Sequence, residues 1–591
     1  MNGMKTLLID PLDSADAGEW AAQRWDQIID LGTGGKNTYE RWSRQLQCPV
    51  IAFDSLRNGF DAFRRTRDRL SLGRGRFFDE YGLDWWEITS MLFHGELEAL
   101  ILLQDFVATL GAEDEVHVSR PGVHADFLQY LSPQRAHVFP LRREAQRRGL
   151  AHYLQASKKL SLTQMIDIVW DKYDSGQQFR GRFARRRQPS PQPVVLLPTA
   201  YINVSRTGIA YANTFPNENF LLVTTRHSGW VRDRPKNVAA ARLTSYVAHR
   251  DRSRENAAIG SQWRALLDEL RKAREFEILR RLGYLDAMPQ RFRQGFEMRD
   301  AWLNVLDTEP VQAVLCSDDS NPYTRIPLLL ARERGLPSIA CHHGALDGRY
   351  FFKRSFGSVI WAKGKMEQDY LVRTCSVPRE KVEINAPALP ANFTSPNPRE
   401  SPPLKTATFL PNILFISEAY DVAGGRPQEF YRDLVPPLAD LALATKRKLI
   451  VKLHPAESPR ERSRMLGRML SDEQRKVLRV VSGPLTEEVL QSAWFGITVL
   501  STVSIECAIR RIPCFLCKWL EFWPYGYIDQ YIRFGVGIGL NEPAEIAKIP
   551  EYLQNFPPRA DAMANLWQPA APERLRELLT APHKTLTTAV R

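Results

Sequence analysis

Two short stretches of the chain hold residue types that can do phosphate chemistry. In "KLIVKLHPAESPR", residues 448 to 460, an apolar run of Leu449, Ile450, Val451 and Leu453 stops at His454 and Pro455. Proline has no N–H to give to a sheet ladder, so Pro455 places the end of a buried strand at or near His454. The histidine then stands on a loop at the carboxyl edge of a sheet, where open α/β folds bind ligands, and can donate to a phosphate oxygen. Lys452 shares the strand face of His454 by the two-residue period and adds positive charge. In "LSTVSIE", Ser501 follows an apolar strand and precedes a helical pattern. That order predicts Ser501 as an N-cap and leaves N–H groups over Thr502 to Ser504. Such a helix start attracts anions, and the hydroxyls of Ser501, Thr502 and Ser504 can supplement it. Turn closure by His454 and plain capping by Ser501 compete with this reading; the two features in one sheet favour phosphate binding. Glu506, four residues after Thr502, and Glu418, directly after "LFIS", can accept ribose hydroxyls or stand as solvated charges.

Elements must position these groups. "KTLLIDP", "WDQIIDLG", "CPVIAFDS" and "DEVHVSRP" read as strands between helical segments, which predicts an N-terminal α/β accessory region over residues 1–175. Trp85, Trp86 and Phe93 there read as core aromatics. The arginine cluster Arg180, Arg182, Arg185, Arg186 and Arg187 then precedes a proline-rich spacer, and reads as a solvated linker or, second, as a contact to acidic lipid or polymer. A strand over Val194 to Leu197 runs into a loop with Asn203, Ser205 and Arg206, and "VQAVLCSDDS" and "LPSIACHHG" follow as strands that end on polar residues. This gives a first doubly wound domain over 190–400, a linker in "ESPPLKTATFLPN", a second doubly wound domain over 410–560, and a C-terminal tail over 561–591.

Composition is that of a folded protein: 44% hydrophobic residues and 28 Phe, 18 Tyr and 14 Trp are too many for a disordered chain of 591 residues. The formal charge of +13 favours anionic company without choosing among nucleotides, glycans and membrane faces. Seven scattered cysteines do not describe a disulfide framework, and Cys514 and Cys517 read as buried small hydrophobes. The N-terminal stretch lacks the pattern of a secretory signal, and no segment is a spanning helix, so the expected location is cytoplasmic, with peripheral contact to the inner membrane face. No metal-ligand spacing, P-loop or full dinucleotide fingerprint stands out, and no aromatic-interleaved RNA motif accompanies the arginines, so no metal and no nucleic acid are expected.

Three passages carry a resemblance: "RIPLLLARERGLPSIACHHGALDGRYFFKRSFGSVIWAKG", "VKLHP" and "STVSIECAIRRIPC". In order and spacing they resemble the GT-B glycosyltransferases of bacterial surface polysaccharides, the capsule Kdo and sialic acid transferases and the CDP-glycerol glycerophosphotransferases. The likeness covers about residues 310 to 540. Cys341 and His342 stand where that group has Thr-Gln, Ala362 where it has glycine, and Arg511 where it has the glycine before Ile-Pro. The resemblance implies two Rossmann-like domains facing a cleft, with a nucleotide-sugar donor as substrate and no cofactor. It implies transfer of a sugar, an acidic one from a CMP or related donor, onto a glycan or lipid-linked acceptor. Its acceptor-side base is His343, followed by Gly344, with Asp318 and Asp319 as rivals. Adjacent strand residues point oppositely, so both aspartates do not face one ligand, and "SDDSNP" also reads as a helix cap. Transfer of glycerol phosphate from CDP-glycerol is the alternative within catalysis, and a glycan-binding or assembly partner without turnover is the alternative outside it.

Overall fold

The computed structural model describes residues 3–580 apart from 33, 54–60, 141–186, 249–252, 390–409, 419, 421–425, 456, 484, 522–524 and 557–564. Arg180, Arg182, Arg185 and Arg186 and most of the proline-rich linker after residue 400 lie outside the described residues. Among the described residues, eighteen strands form three sheets that are parallel throughout. The chain divides into two compact units: Met1–Phe63, Ala99–Leu141 and Pro390–Trp567 make unit 1, and Arg64–Glu98, Arg142–Leu389 and Gln568–Arg591 make unit 2.

The first sheet, in unit 1, takes β1 (Lys5–Ile9), β2 (Gln27–Asp30), β3 (Val50–Ala52), β4 (Glu115–Val118) and β5 (Ala136–Val138) in the order β3-β2-β1-β4-β5. Leu7, Ile9, Trp25, Ile28 and Trp42 form its core. Strands β1 to β4 coincide with the four apolar runs of the sequence. Strand β5, Ala-His-Val, carries no apolar run that announces it.

Unit 2 holds β6 (Val194–Thr199), β7 (Phe220–Thr224), β8 (Val238–Arg242), β9 (Val311–Cys316), β10 (Ser338–Ala340), β11 (Val359–Ala362) and β12 (Val382–Ile384), ordered β12-β11-β10-β9-β6-β7-β8. The interior strand β6 is buried at every position, as its unbroken VVLLPT run requires for a strand covered on both faces. Trp85 and Trp86 are fully buried in this unit, packed on Phe296 and on Phe93 and Phe276. Ala570 and Leu575 belong to the core of the same unit, so the segment after residue 568 adds apolar surface to it.

The third sheet, in unit 1, takes β13 (Asn412–Ile416), β14 (Lys448–Lys452), β15 (Leu478–Val481), β16 (Ala493–Thr498), β17 (Cys514–Cys517) and β18 (Ile538–Leu540), ordered β15-β14-β13-β16-β17-β18. Within unit 1 it is tied to the first sheet. Arg426 is buried and its guanidinium reaches Asp30, at the end of β2, at 2.5 Å and the carbonyl of Asp10 at 2.9 Å. Glu429, on helix Pro427–Ala444, takes hydrogen bonds from Thr38 and Arg41 on helix Lys36–Leu46, each at 3.0 Å. The seven cysteines are free and buried, and Cys514 and Cys517 sit in β17 as apolar packing. Among the described residues no helix is long and apolar enough to cross a membrane.

Candidate active site

In unit 2 the chain leaves β6 in one direction to build β7 and β8 and returns to lay β9 on its other side. The carboxyl ends of β6 and β9 therefore form a topological switch point, the crevice where such sheets receive ligands. Tyr201 stands just beyond β6, extended, immediately before helix Ile202–Thr214. Asp318 stands two residues beyond β9, and His342 and His343 follow β10. The sheet order brings these four together.

Asp318 is buried, and Tyr201 gives it a hydrogen bond from its hydroxyl at 2.5 Å. Ser320 N–H donates to the other carboxylate oxygen at 2.9 Å, and Asn321 Nδ2 to the first at 3.2 Å. Burial opposes ionisation of Asp318, but Arg349 and the imidazoles of His343 and His342 outweigh it and hold the carboxyl at about 2. His343 Nδ1 lies 3.4 Å from the Tyr201 hydroxyl and 4.0 Å from Asp318 Oδ2. A fifth of the His343 side chain is exposed, 20%, against 2% for Asp318, so the imidazole is the member that can meet a substrate. Desolvation lowers the His343 pKa against the pull of Asp318, which keeps the ring neutral near pH 7 and able to accept a proton. His342 is buried; its Nδ1 accepts the Gly344 N–H at 3.2 Å, and desolvation holds it neutral. Lys363 fastens this turn by donating to the carbonyls of His342 at 2.5 Å and Gly344 at 2.8 Å. Gly344 itself lies outside the left-handed region, so the turn does not depend on its special φ.

Asp319 turns to other partners than Asp318 does. It is buried and bound by Lys353 at 2.7 Å and by Arg325 at 3.4 Å, and Arg325 also reaches Glu87 at 2.8 Å. Its carboxylate is engaged in these buried ion pairs. The helix cap expected of "SDDSNP" falls to Asn321, which accepts from Thr324 N–H at 3.3 Å, and Asp318 is left for the site. Asn203 and Arg206, expected on a loop, lie in the opening turns of helix Ile202–Thr214, with Arg206 exposed. The sequence reading missed Tyr201, Arg349 and Lys363. Tyr201 had a signal, since it ends the β6 run just where a helix begins.

The second cluster lies in unit 1 at the carboxyl edge of the six-stranded sheet, whose switch point is between β13 and β16. Strands β14 and β16 both pair with β13, so their ends are about two strand spacings apart, roughly 10 Å. Strand β14 ends at Lys452, and the half-buried His454 follows on the loop with the exposed Pro455. Glu457 closes that loop: it accepts His454 N–H at 2.8 Å, the Tyr431 hydroxyl at 3.0 Å and Arg462 Nε at 2.8 Å. Lys452 does not extend the strand face to His454. It is buried, its ammonium donates to the Leu453 carbonyl at 2.5 Å, and desolvation lowers its pKa, so its charge is used inside the chain.

Ser501 is not the N-cap. Helix Val503–Ile509 begins after Thr502, which is helical in conformation and makes no side-chain cap bond. Ser501 Oγ accepts Val503 N–H at 3.4 Å, and Ser504, which is buried, donates its hydroxyl to the Ser501 carbonyl at 2.7 Å. Of the three hydroxyls expected to meet an anion, that of Thr502 is the exposed one. Glu418 directs Oε1 to Leu500 N–H and to the Thr498 hydroxyl, 3.2 Å away, and burial raises its pKa to about 7. Glu506 is half-buried, and desolvation raises its pKa against Arg510, which pairs with Glu487 at 2.6 Å.

No protein-family model matches the chain, and no curated relative does. Solved structures similar to it include the UDP-GlcNAc 2-epimerase of Methanocaldococcus jannaschii, 13% identical over 66% of this chain and 99% of that one, with a TM-score of 0.39. The S. aureus MnaA of a UDP co-structure is 11% identical over 66% of this chain and 94% of its own, with a TM-score of 0.37. A glycosyltransferase from Rickettsia africae is 10% identical over 68% of this chain and 95% of its own, with a TM-score of 0.35. Similarity at this level carries no argument about substrate or activity.

Proposed function

We propose that the chain transfers a sugar from a nucleotide donor to an acceptor hydroxyl, with His343 as the base and Asp318 and Tyr201 holding it. One observation carries the reading: a neutral, partly exposed imidazole stands beside a buried, ionised carboxylate at the switch point of the seven-stranded sheet. The acceptor oxygen gives its proton to His343 and bonds to the anomeric carbon. The bond from that carbon to the donor phosphate breaks, and the nucleotide leaves with the electron pair. Asp318 stays ionised and stabilises the imidazolium that forms, and the Tyr201 hydroxyl donates to Asp318 throughout. In unit 1, His454 on its closed loop is assigned to the donor phosphate, supported by its place at the carboxyl edge and by the "VKLHP" resemblance. Lys452, Ser504 and Glu418 are not assigned ligand contacts, because their polar groups are engaged by their own chain.

The donor is an acidic sugar carried on CMP or a related nucleotide, and the acceptor a glycan or lipid-linked glycan of a bacterial surface polysaccharide. This rests on the resemblance, and the charge of +13 suits it. CDP-glycerol as donor is kept as a second reading because the exposed member of the site is an imidazole, the group the resemblance assigns in glycerophosphotransferases. Incubation with a panel of CMP-sugars, UDP-sugars and CDP-glycerol and oligosaccharide acceptors, read by product mass, tests both: a glycosyl increment supports the first and a phosphoglyceryl increment the second. Nucleotide binding without product from any donor would overturn both in favour of a partner without turnover.

A further inference from the structure

We propose that Glu115, His117 and His137, in the N-terminal sheet, form a binding site for a divalent transition-metal ion, zinc above all. No spacing motif announces it, because the ligands come from two strands separated by a helix: Glu115 and His117 lie in β4 and His137 in β5. Parallel pairing sets His117 directly opposite His137, which puts both imidazoles on one face of the sheet. Glu115, two residues before His117, is on that face too. The rings of the two histidines stack with centroids 4.7 Å apart, and Glu115 Oε2 lies 3.2 Å from His117 Nε2. Two ligands of a tetrahedral zinc ion at about 2.0 Å are themselves roughly 3.3 Å apart, so that pair is already at ligand spacing. One ligand atom from each of the three residues lies within 4.8 Å of the others, a gap that side-chain rotation closes.

The donor set is two imidazoles and a carboxylate, borderline ligands that select zinc and its neighbours over magnesium or calcium. His117 is backed by Trp25 at 5.0 Å and by Phe139 at 5.9 Å, an apolar wall that fixes the ring. Glu115 and His137 are exposed, so the fourth position opens to solvent. Lys5 is paired in register with Glu115, but its ammonium turns to Gln23 at 3.3 Å and to the face of Trp25 at 4.9 Å. Asp318, His342 and His343 form a second group of this kind, but Arg349 already supplies the positive charge there and His342 Nδ1 is taken by Gly344 N–H.

The test uses the full-length chain freed of metal by a chelator and titrated with Zn²⁺ against a chromophoric indicator. Wild type is expected to take up a zinc equivalent that His117→Ala and His137→Ala each weaken at least tenfold, and that His343→Ala leaves unchanged. His137 is exposed, so its substitution leaves the fold in place, and melting without metal checks this. Zinc is also expected to raise the melting temperature of wild type and not of His137→Ala. Uptake of the same equivalent with the same affinity by both variants, or no uptake by wild type at 100 µM Zn²⁺ (a ceiling of about 5.5 kcal/mol of binding free energy), would overturn the proposal.

Discussion

The seven-stranded and six-stranded sheets place a carboxylate at the same topological point and give it opposite electrical fates. Asp318 follows β9 by two residues, and Glu418 follows β13 by two. Each accepts a hydrogen bond from across its switch point, Asp318 from Tyr201 after β6 and Glu418 from Leu500 after β16. Around Asp318 stand Arg349 and two imidazoles, and its carboxyl is held at about 2. Around Glu418 stand a hydroxyl, backbone N–H groups and the like charge of Glu457, and burial raises it to about 7. Topology positions the group and its neighbours set its charge. A carboxylate held ionised can stabilise a neighbouring imidazolium; one that protonates near neutrality cannot do so across the same pH range.

The sharpest way to break this contrast is to neutralise each carboxylate in turn. Asp318→Asn keeps the shape and removes the charge that stabilises protonated His343, and general-base catalysis is worth about 10²–10⁴-fold. Turnover with the best donor is expected to fall at least about a hundredfold, with KM changed much less and melting near wild type. Retention of most activity would remove Asp318 from the mechanism. Glu418→Gln, measured alongside, is expected to cost only a few fold, because its Oε1 serves the end of β16. Next in size is His454→Ala. Losing a donor to a departing phosphate costs ~3–4 kcal/mol when the bond is fully formed, and a partly formed one still gives at least about tenfold. Circular dichroism and melting should stay as in wild type, since Glu457 closes the loop through the backbone N–H of residue 454, which the substitution keeps.

The difference between the two edges also explains what could be read from the sequence. Strand ends were legible because unbroken apolar runs such as VVLLPT and KLIVK stop on polar residues, and the sheet's carboxyl edge then follows from chain order. The different partners of Asp318 and Asp319 do not come from strand alternation, since β9 stops at Cys316 and both aspartates lie beyond it. Partners drawn from distant segments were not legible. Nothing near Asp319 announces Lys353 or Arg325, and nothing near Asp318 announces Arg349 or Tyr201. The misplacement of the helix start shows a finer limit. Ser501 is a good capping residue by type, but its N–H is taken by Thr498 at 3.3 Å and the helix starts one residue later. Lys452 likewise shared a face with His454 only while the strand continued, and the strand stops at Lys452 itself.

The contrast can be sharpened by titration, with a smaller effect. The carboxyl of Glu418 rises from 4.5 to about 7 on folding, so between those values the folded chain binds more protons than the unfolded one, and stability falls as pH rises through the window. Asp318 works with the opposite sign. Its carboxyl falls from 3.8 to about 2, so its contribution is present above 3.8 and is lost as pH drops toward 2. Urea unfolding of wild type and Glu418→Gln from pH 4 to 8 should give curves that converge at the acid end and separate toward neutrality, with wild type the less stable. Parallel curves would mean that Glu418 is not shifted.

The smallest effect separates an anion-binding role for the helix start from a purely structural one. Thr502 is exposed, precedes helix Val503–Ile509 and makes no cap bond with its side chain, so Thr502→Ala removes no helix cap. Stability should stay within about 0.5 kcal/mol of wild type by urea unfolding, as for a surface change away from caps and cores. Ser504→Ala should cost more, since its buried hydroxyl donates to Ser501 and a typical hydrogen bond contributes about 1 kcal/mol. If the Thr502 hydroxyl meets the donor phosphate, Thr502→Ala raises the KM for donor several fold while leaving stability alone, and Ser504→Ala does the reverse. Unchanged KM in Thr502→Ala would leave His454 as the phosphate contact at this edge and confine the β16 end to a structural part.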